Sequence, residues 1–148
     1  MTIDATWFEE NILLHKLNEQ DRILLNEVFE TDLHQTGDEI ISEGNVGGGL
    51  YILRAGSTAI TQKSEQKCVH LGHASEGALF GSMSFLTGNL SNATVTAHSK
   101  CLTYKLNRDG YCKMLTQNHE LLLSLFTYML NQSGEILRKM NSQYAEKN

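Results

Sequence analysis

The stretch between residues 82 and 94 is rich in uncharged side chains that donate and accept hydrogen bonds. Hydroxyls and amides of this kind can hold neutral or weakly anionic molecules, particularly beside the free N–H groups at the start of a helix. A solvated loop has the same composition, so both interpretations stay open. No arginine occurs between Arg54 and Arg108, so a strongly anionic ligand would lack a forked cationic partner within this stretch. The polar residues are Ser82, Ser84, Thr87, Asn89, Ser91, Asn92 and Thr94.

Residue types that support catalysis or metal binding lack the required spacing in this chain. His70 and His73 stand on either side of a Leu-Gly pair, whereas a metal-binding cupin needs two histidines separated by a single residue and followed by glutamate. The sequence contains no G-x-S-x-G elbow, no P-loop and no dinucleotide-binding fingerprint. We therefore predict a non-enzymatic protein with no catalytic residues, no metal site and no cofactor.

The composition excludes several classes of protein. The 148 residues carry 12 basic and 17 acidic side chains, for a net charge of −5, and the basic residues are scattered. A nucleic-acid-binding surface requires clustered lysine and arginine, and a membrane span requires about 20 consecutive apolar residues. The longest apolar runs, such as residues 121–123, are far shorter, and the first twenty residues have no signal-peptide core. Three cysteines without a metal-type pairing favour reduced thiols, so we expect a cytoplasmic protein that binds neither nucleic acid nor membrane by itself.

Three segments of different periodicity must position the polar stretch. Residues 1–32 are predicted to form a helical segment, with helix over residues 7–30. Asn18 and Asp21 have the spacing of a capping box. Residues 33–106 contain short β-branched runs about ten residues apart, separated by glycines, which is typical of a β-sandwich or barrel. Strands are predicted at residues 39–42, 50–55, 57–62, 68–72, 93–97 and 101–106.

Helical periodicity returns in residues 107–148. A short helix is predicted after Asn107, and a longer one over residues 118–144. Apolar and small residues on the longer helix alternate three and four positions apart, as in the contact seam of a coiled coil. Its first half is apolar on several faces, so packing of this half on the strands is the alternative. The predicted homodimer interface consists of Phe126, Leu130, Ser133, Leu137, Met140 and Tyr144.

Several motifs, in order along the chain, resemble those of cyclic nucleotide-binding domains. They are GDEIISEG at 37–44, LYIL at 50–53, FG at 80–81, ATVTA at 93–97, NRD at 107–109 and NHEL at 118–121. The likeness covers roughly residues 8–140, and its organisation is most similar to the effector domain of bacterial catabolite activator proteins. It implies a single α+β domain over residues 1–148: an eight-stranded antiparallel β-roll, jelly-roll-like, with an N-terminal helix, a hinge helix and a long C-terminal helix.

The resemblance also implies a ligand site, and this sequence departs from the family at the two charged positions. The family's ribose-binding glutamate follows the Phe-Gly pair, and its phosphate-binding arginine stands two positions before the Ala-Thr-Val strand; this chain has Ser82 and Ser91 there. Loss of two hydrogen bonds to charged groups weakens binding by about 100- to 10,000-fold. The residues equivalent to the family's phosphate-binding cassette, ligand-binding or vestigial, are Phe80, Gly81, Ser82, Met83, Ser84, Ser91, Asn92, Ala93 and Thr94.

Two functions from different classes follow from these departures. The first is a regulatory or scaffolding module that binds cyclic AMP and cyclic GMP weakly or not at all, dimerises through its C-terminal helix and contacts a protein partner. The second is a small-molecule sensor of altered specificity, in which a ligand in the roll shifts the helices from residue 107 onward. A third interpretation is a fragment of a longer regulator. The remaining residues hold no counterpart of the activators' helix-turn-helix domain, so we expect no DNA binding by this chain alone.

Overall fold

Eight antiparallel strands in two four-stranded sheets form the centre of the structure, a computed structural model that describes residues 2–132. Sheet 1 has the strand order β1-β8-β3-β6, and sheet 2 has the order β2-β7-β4-β5. The predicted eight-stranded antiparallel β-roll is therefore confirmed. The strands are β1 (Phe29–His34), β2 (Glu39–Ile41), β3 (Leu50–Ala55), β4 (Thr58–Ser64), β5 (Lys67–Ala74), β6 (Leu79–Phe80), β7 (Thr94–Ala97) and β8 (Cys101–Leu106).

Helices precede, interrupt and follow the strands. They are α1 (Ala5–Asn11), α2 (Glu19–Val28), α3 (Ser82–Thr87), α4 (Arg108–Gln117) and α5, which is described over residues 119–132. The predicted capping box starts α2, since the Asn18 side chain accepts from the N–H of Asp21 at 2.8 Å and the Asp21 carboxylate accepts from the N–H of Asn18 at 3.2 Å. Within residues 2–132, no helix combines the length and the apolar character that crossing a membrane requires.

The N-terminal segment differs from the single helical run predicted for residues 7–30. The first helix ends at Asn11, and α2 starts only after the Asn18 cap. Strand β1 then begins at Phe29, inside the region assigned to helix and before the predicted boundary at residue 33. The cause is non-local, because β1 pairs along its whole length with β8, far away in the sequence.

Two apolar clusters lie on opposite faces of sheet 1. Neighbouring residues of β3 point to opposite sides, so Ile52 contacts the helices whereas Leu53 faces sheet 2, and both are fully buried. The helix-side cluster joins sheet 1 to α1, α2, α4 and α5 and also includes Phe85 of α3. The second cluster fills the space between the sheets. The C-terminal helices therefore pack on the same cluster that anchors α3.

Candidate ligand-binding site

A cavity of about 490 Å³ lies between α3, the loop that follows it and the inner face of sheet 2. Its volume falls within the range of about 300–1,000 Å³ that is typical of small-molecule sites. All of the predicted cassette residues except Thr94 line it. The lining residues are Ile41, Ile60, Leu79, Phe80, Gly81, Ser82, Met83, Ser84, Thr87, Asn89, Leu90, Ser91, Asn92, Ala93 and Val95.

Two glycines with left-handed backbones bound α3 beside this cavity. Gly81 at the N-cap and Gly88 at the C-cap both have a φ of 77°, which residues with a side chain rarely adopt. A Cβ atom on Gly81 would also lie 2.9 Å from the carbonyl oxygen of Gly49, so this position has two reasons to be glycine. Phe85 is buried in the helix-side cluster, whereas Met83 is exposed at the rim. The short helix is thus anchored on one side and presents its first turn to the cavity.

Ser84 is a buried residue of the cavity wall whose hydroxyl is used by the fold. It accepts a hydrogen bond from the N–H of Gly47 at 2.8 Å and donates one to the carbonyl oxygen of Asn89 at 2.5 Å. A Cβ atom on Gly47 would lie 2.7 Å from the same hydroxyl, which explains the glycine there. Ser84 therefore ties α3 and the residue after its C-cap to the loop before β3.

The remaining polar residues of the cavity divide into bonded and free groups. The Ser91 hydroxyl donates to the carbonyl oxygen of Ala93 at 2.8 Å, and the Thr87 hydroxyl donates to a carbonyl one turn earlier in α3 at 2.5 Å. Within residues 2–132, the cavity-lining polar side chains that lack a hydrogen-bond partner are Ser82, Asn89 and Asn92. These side chains keep all of their donors and acceptors for a ligand, whereas the bonded hydroxyls have spent their donor.

Thr94 does not join the other predicted site residues. Its hydroxyl accepts a hydrogen bond from the N–H of Glu43 at 3.0 Å. Val95, the next residue of β7, lines the cavity and belongs to the cluster between the sheets. Because successive side chains of a strand point to opposite faces, Thr94 lies on the outer face of sheet 2.

The cavity wall is uncharged over the part of the chain that the structure describes. Ser82 and Ser91, the two positions at which the resemblance led us to expect a glutamate and an arginine, both line it. Three cations outside the cavity lining have other partners: Lys105 lies over an aromatic ring of sheet 1, and Arg54 pairs with two carboxylates. Arg108 donates to a backbone carbonyl of α3. An anionic ligand would therefore meet no counter-charge from these residues.

The apolar floor of the cavity was missed by the sequence analysis. Ile41, Ile60 and Val95 form it, from β2, β4 and β7. Ile60 and Val95 are directly opposite in the antiparallel register, so their side chains point to the same face. The alternation within each strand indicates which side chains share a face of that strand. Only the pairing of β4 with β7 shows that Ile60 and Val95 lie side by side.

The predicted dimer residues are only partly within the described chain. Phe126 is half-buried and packs against Tyr111 of α4, with ring centroids 6.3 Å apart, so the first half of the helix does pack on its own domain. Leu130 of the predicted interface is 67% exposed, and Leu123, seven residues before it on α5, is 58% exposed, so this side of the helix faces outward. Ser133, Leu137, Met140 and Tyr144 lie outside the described residues.

The histidines considered as metal ligands, His70 and His73, lie in a row of three rings that meet at an angle. The rings of His70 and His73 have centroids 4.6 Å apart, and the ring of His98 lies 5.0 Å from that of His73. Over residues 2–132, no group of three or more His, Cys, Asp or Glu side chains is arranged to hold a metal ion.

Comparison with sequences of known proteins agrees with this geometry. The family model of the cyclic nucleotide-binding domain matches residues 33–118. The cAMP-dependent protein kinase regulatory subunit of Eremothecium gossypii is 31% identical over 110 residues, which are 74% of this chain and 23% of that protein. The chain thus spans about a quarter of the length of the curated relatives it matches.

Solved structures share the fold. A cyclic nucleotide-binding domain from Methylobacillus flagellatus superposes with a TM-score of 0.83 at 18% identity, covering 100% of this chain and 88% of that one. The catabolite activator protein of Thermus thermophilus superposes with a TM-score of 0.72 at 21% identity, covering 89% of this chain and 62% of that one. Since the family model matches more than half of the sequence and the fold agrees, the chain belongs to the cyclic nucleotide-binding domain family.

Proposed function

We propose that the chain is a regulatory domain that does not bind cyclic AMP or cyclic GMP with the affinity usual for this family. The supporting observation is that Ser82 and Ser91 line one cavity to which residues 2–132 contribute no charge. A phosphate taken out of water without a counter-charge loses its hydration and gains little in return. With two charge-assisted hydrogen bonds missing, binding is weaker by about 100- to 10,000-fold, so a micromolar site becomes millimolar or weaker.

Isothermal titration of cyclic AMP and cyclic GMP into the purified chain tests this proposal. The protein concentration must suffice to detect a dissociation constant of about 1 mM. We expect no measurable heat or a millimolar constant. A micromolar constant for either nucleotide would overturn the proposal and would mean that backbone N–H groups hold the phosphate.

A second function, a sensor for a neutral small molecule, is favoured by the composition of the cavity. The floor is apolar at Ile41, Ile60 and Val95, and hydrogen-bonding groups are available at Ser82 and Asn92. An uncharged ligand with one flat apolar face and several hydroxyls, such as a nucleoside, would suit both halves. Its binding would be expected to act on the C-terminal helices, which share the cluster that anchors α3.

Nucleosides and cyclic nucleotides form a matched set of probes, because they differ in the charged phosphate. If the sensor function holds, adenosine or guanosine raises the melting temperature by mass action, and the cyclic nucleotides do not. An equal rise with the cyclic nucleotides would contradict the argument from charge. No response to any of the four compounds would exclude nucleosides and favour the scaffolding role.

We also propose that the domain forms a homodimer through α5 and the residues after it. Leu123 and Leu130 are seven residues apart on this helix and are exposed, which is the spacing of a coiled-coil seam. Sedimentation equilibrium should give a dimer for the wild type and a monomer for Leu130→Glu. Ile23→Glu, at an exposed position of α2, is the matched control and should remain dimeric. A monomeric wild type would contradict the proposal.

The role that we propose is non-enzymatic, cytoplasmic and exerted on a protein partner. Support comes from those similar proteins that are regulatory subunits of cAMP-dependent protein kinase. Incubation of the chain with cyclic AMP or ATP, followed by chromatography, should return the nucleotide unchanged. Turnover of either compound would contradict the non-enzymatic role.

A further inference from the structure

We propose that Tyr128 and Gln132 of α5 are positioning residues for the cavity, because they hold the turn from which the cassette starts. This turn, residues 75–78, is called the anchor turn below. The inference deepens the proposed function, since it names the contact through which α5 acts on that cavity. It does not depend on which ligand the cavity takes.

The anchor turn leads directly into the cavity wall. The N–H of Ala78 donates to the carbonyl oxygen of Ser75 at 3.0 Å, and Gly77 has a φ of 92°. Two backbone hydrogen bonds tie it to β3, from Gly77 to Leu53 and from Leu53 to Ala78, both at 2.8 Å. The next residues along the chain, 79–84, all line the cavity. The position of the anchor turn therefore fixes where the cassette begins.

Helix α5 contacts the anchor turn at one carbonyl group. The Tyr128 hydroxyl donates to the carbonyl oxygen of Gly77, and the Gln132 amide donates to the same oxygen at 2.9 Å. Gln132 also donates to the Tyr128 hydroxyl at 2.7 Å, so the three groups form a closed triangle. A Cβ atom on Gly77 would lie 3.2 Å from the Tyr128 hydroxyl, so the glycine permits the approach.

The opposite side of the anchor turn is held by α1 and β3. The Glu76 carboxylate accepts from the indole N–H of Trp7 at 2.6 Å and from the guanidinium of Arg54 at 3.0 Å. Arg54 also reaches the carboxylate of Asp4 at 3.3 Å and lies over the Trp7 ring. The Glu76 contacts thus hold one side of the anchor turn independently of α5. Helix α5 restrains the other side, through the hydrogen bonds to the Gly77 carbonyl. A displacement of α5 removes that restraint and leaves the Glu76 contacts in place.

Hydrogen exchange on the full chain tests this inference, and it requires no ligand. In Tyr128→Phe, amides of residues 78–88 should exchange about three- to tenfold faster, as expected for the loss of one of the two hydrogen bonds to the Gly77 carbonyl. Amides of β4 and β5 should keep their wild-type rates. Gln132→Met, which keeps the length of the side chain but removes its donors, should have the same effect.

Tyr111→Phe is the matched control, because the Tyr111 hydroxyl makes no hydrogen bond within residues 2–132 and its ring packs on the same cluster. It should leave exchange at residues 78–88 unchanged. Unchanged exchange in Tyr128→Phe, or faster exchange spread equally over all strands, would overturn the inference. Failure of every probe to bind would instead count against the sensor function and leave this result standing.

Discussion

Arg108 of α4 and Phe85 of α3 are joined by two contacts. The Nη2 atom of Arg108 donates to the Phe85 carbonyl oxygen at 2.7 Å, and the guanidinium carbon lies 4.7 Å from the centroid of the Phe85 ring. The ring of Tyr111 meets that of Phe85 edge-on, with centroids 5.7 Å apart. The cassette helix and the helix that follows the roll therefore share one packed unit, which places α3 relative to α4.

Replacement of Arg108 by lysine should destabilise the domain by about 1–3 kcal/mol. Lysine keeps the charge, but it loses the planar fork and the flat face that stacks on Phe85. Urea denaturation followed by circular dichroism measures the change in the free energy of unfolding. We also expect the amide hydrogens of α3 to exchange faster in this variant than in the wild type.

Lys113→Gln on the same helix is the control for this prediction. Lys113 pairs with Glu27 at 2.7 Å, but the two side chains are 40% and 46% exposed. An exposed ion pair contributes about 1 kcal/mol or less. If Arg108→Lys proves as mild as Lys113→Gln, the contact with Phe85 does not fix α3.

Ser84 and Ser82 of α3 should respond differently to replacement by alanine. Ser84→Ala leaves the part-buried N–H of Gly47 without its acceptor, so the free energy of unfolding should fall by about 1–3 kcal/mol. Ser82→Ala removes a hydroxyl with no partner in residues 2–132 and should change stability by less than about 0.5 kcal/mol. Thermal and urea unfolding of both variants measure the two changes in the free energy of unfolding. Equal effects would contradict the structural role assigned to Ser84.

Tyr128 should ionise later than a solvent-exposed tyrosine. Burial raises the pKa of the Tyr128 hydroxyl above its ordinary value of 10.0, although the hydrogen bond from Gln132 acts in the opposite direction. The folded state therefore binds this proton more tightly than the unfolded state does. The stability that results is fully present below the ordinary pKa of 10.0 and is lost as the pH rises through the pKa of the folded state.

Absorbance of the phenolate as a function of pH checks this expectation. The difference between the titration curves of the wild type and Tyr128→Phe isolates one tyrosine, and its midpoint should lie above pH 10.0. A midpoint at or below that value would show that Tyr128 is not held as a buried donor at Gly77.

Much of the roll could be predicted because its strands and corners carry local signals. Alternation over 50–55 and 101–106 matched β3 and β8, and the Asn18 and Asn107 caps marked the starts of α2 and α4. Strand β1 could not be predicted, because its partner β8 lies at the other end of the roll. Strand β6 is only two residues long, too short to show any periodicity.

The candidate site was predictable in its polar half and not in its apolar half. Motif order along the chain located Gly81, Ser82 and Ser91, and the structure places all three at one cavity. Ile41 and Ile60 come from distant strands, so their convergence depends on the strand order of sheet 2. Residue type also could not distinguish the Ser84 hydroxyl, which both accepts and donates a hydrogen bond, from the Ser82 hydroxyl, which has no partner among residues 2–132.

We propose that the missing charge at Ser82 and Ser91 prevents ordinary cyclic nucleotide binding. Calorimetric titration of cyclic AMP into the wild type and into a Ser82→Glu/Ser91→Arg double variant, in the same buffer, is the decisive experiment. We predict a wild-type dissociation constant in the millimolar range or weaker, and at least about 100-fold tighter binding by the double variant, because two charge-assisted contacts return. A wild type that binds with a micromolar constant, unchanged by the two substitutions, would show that the charge at these positions does not control binding.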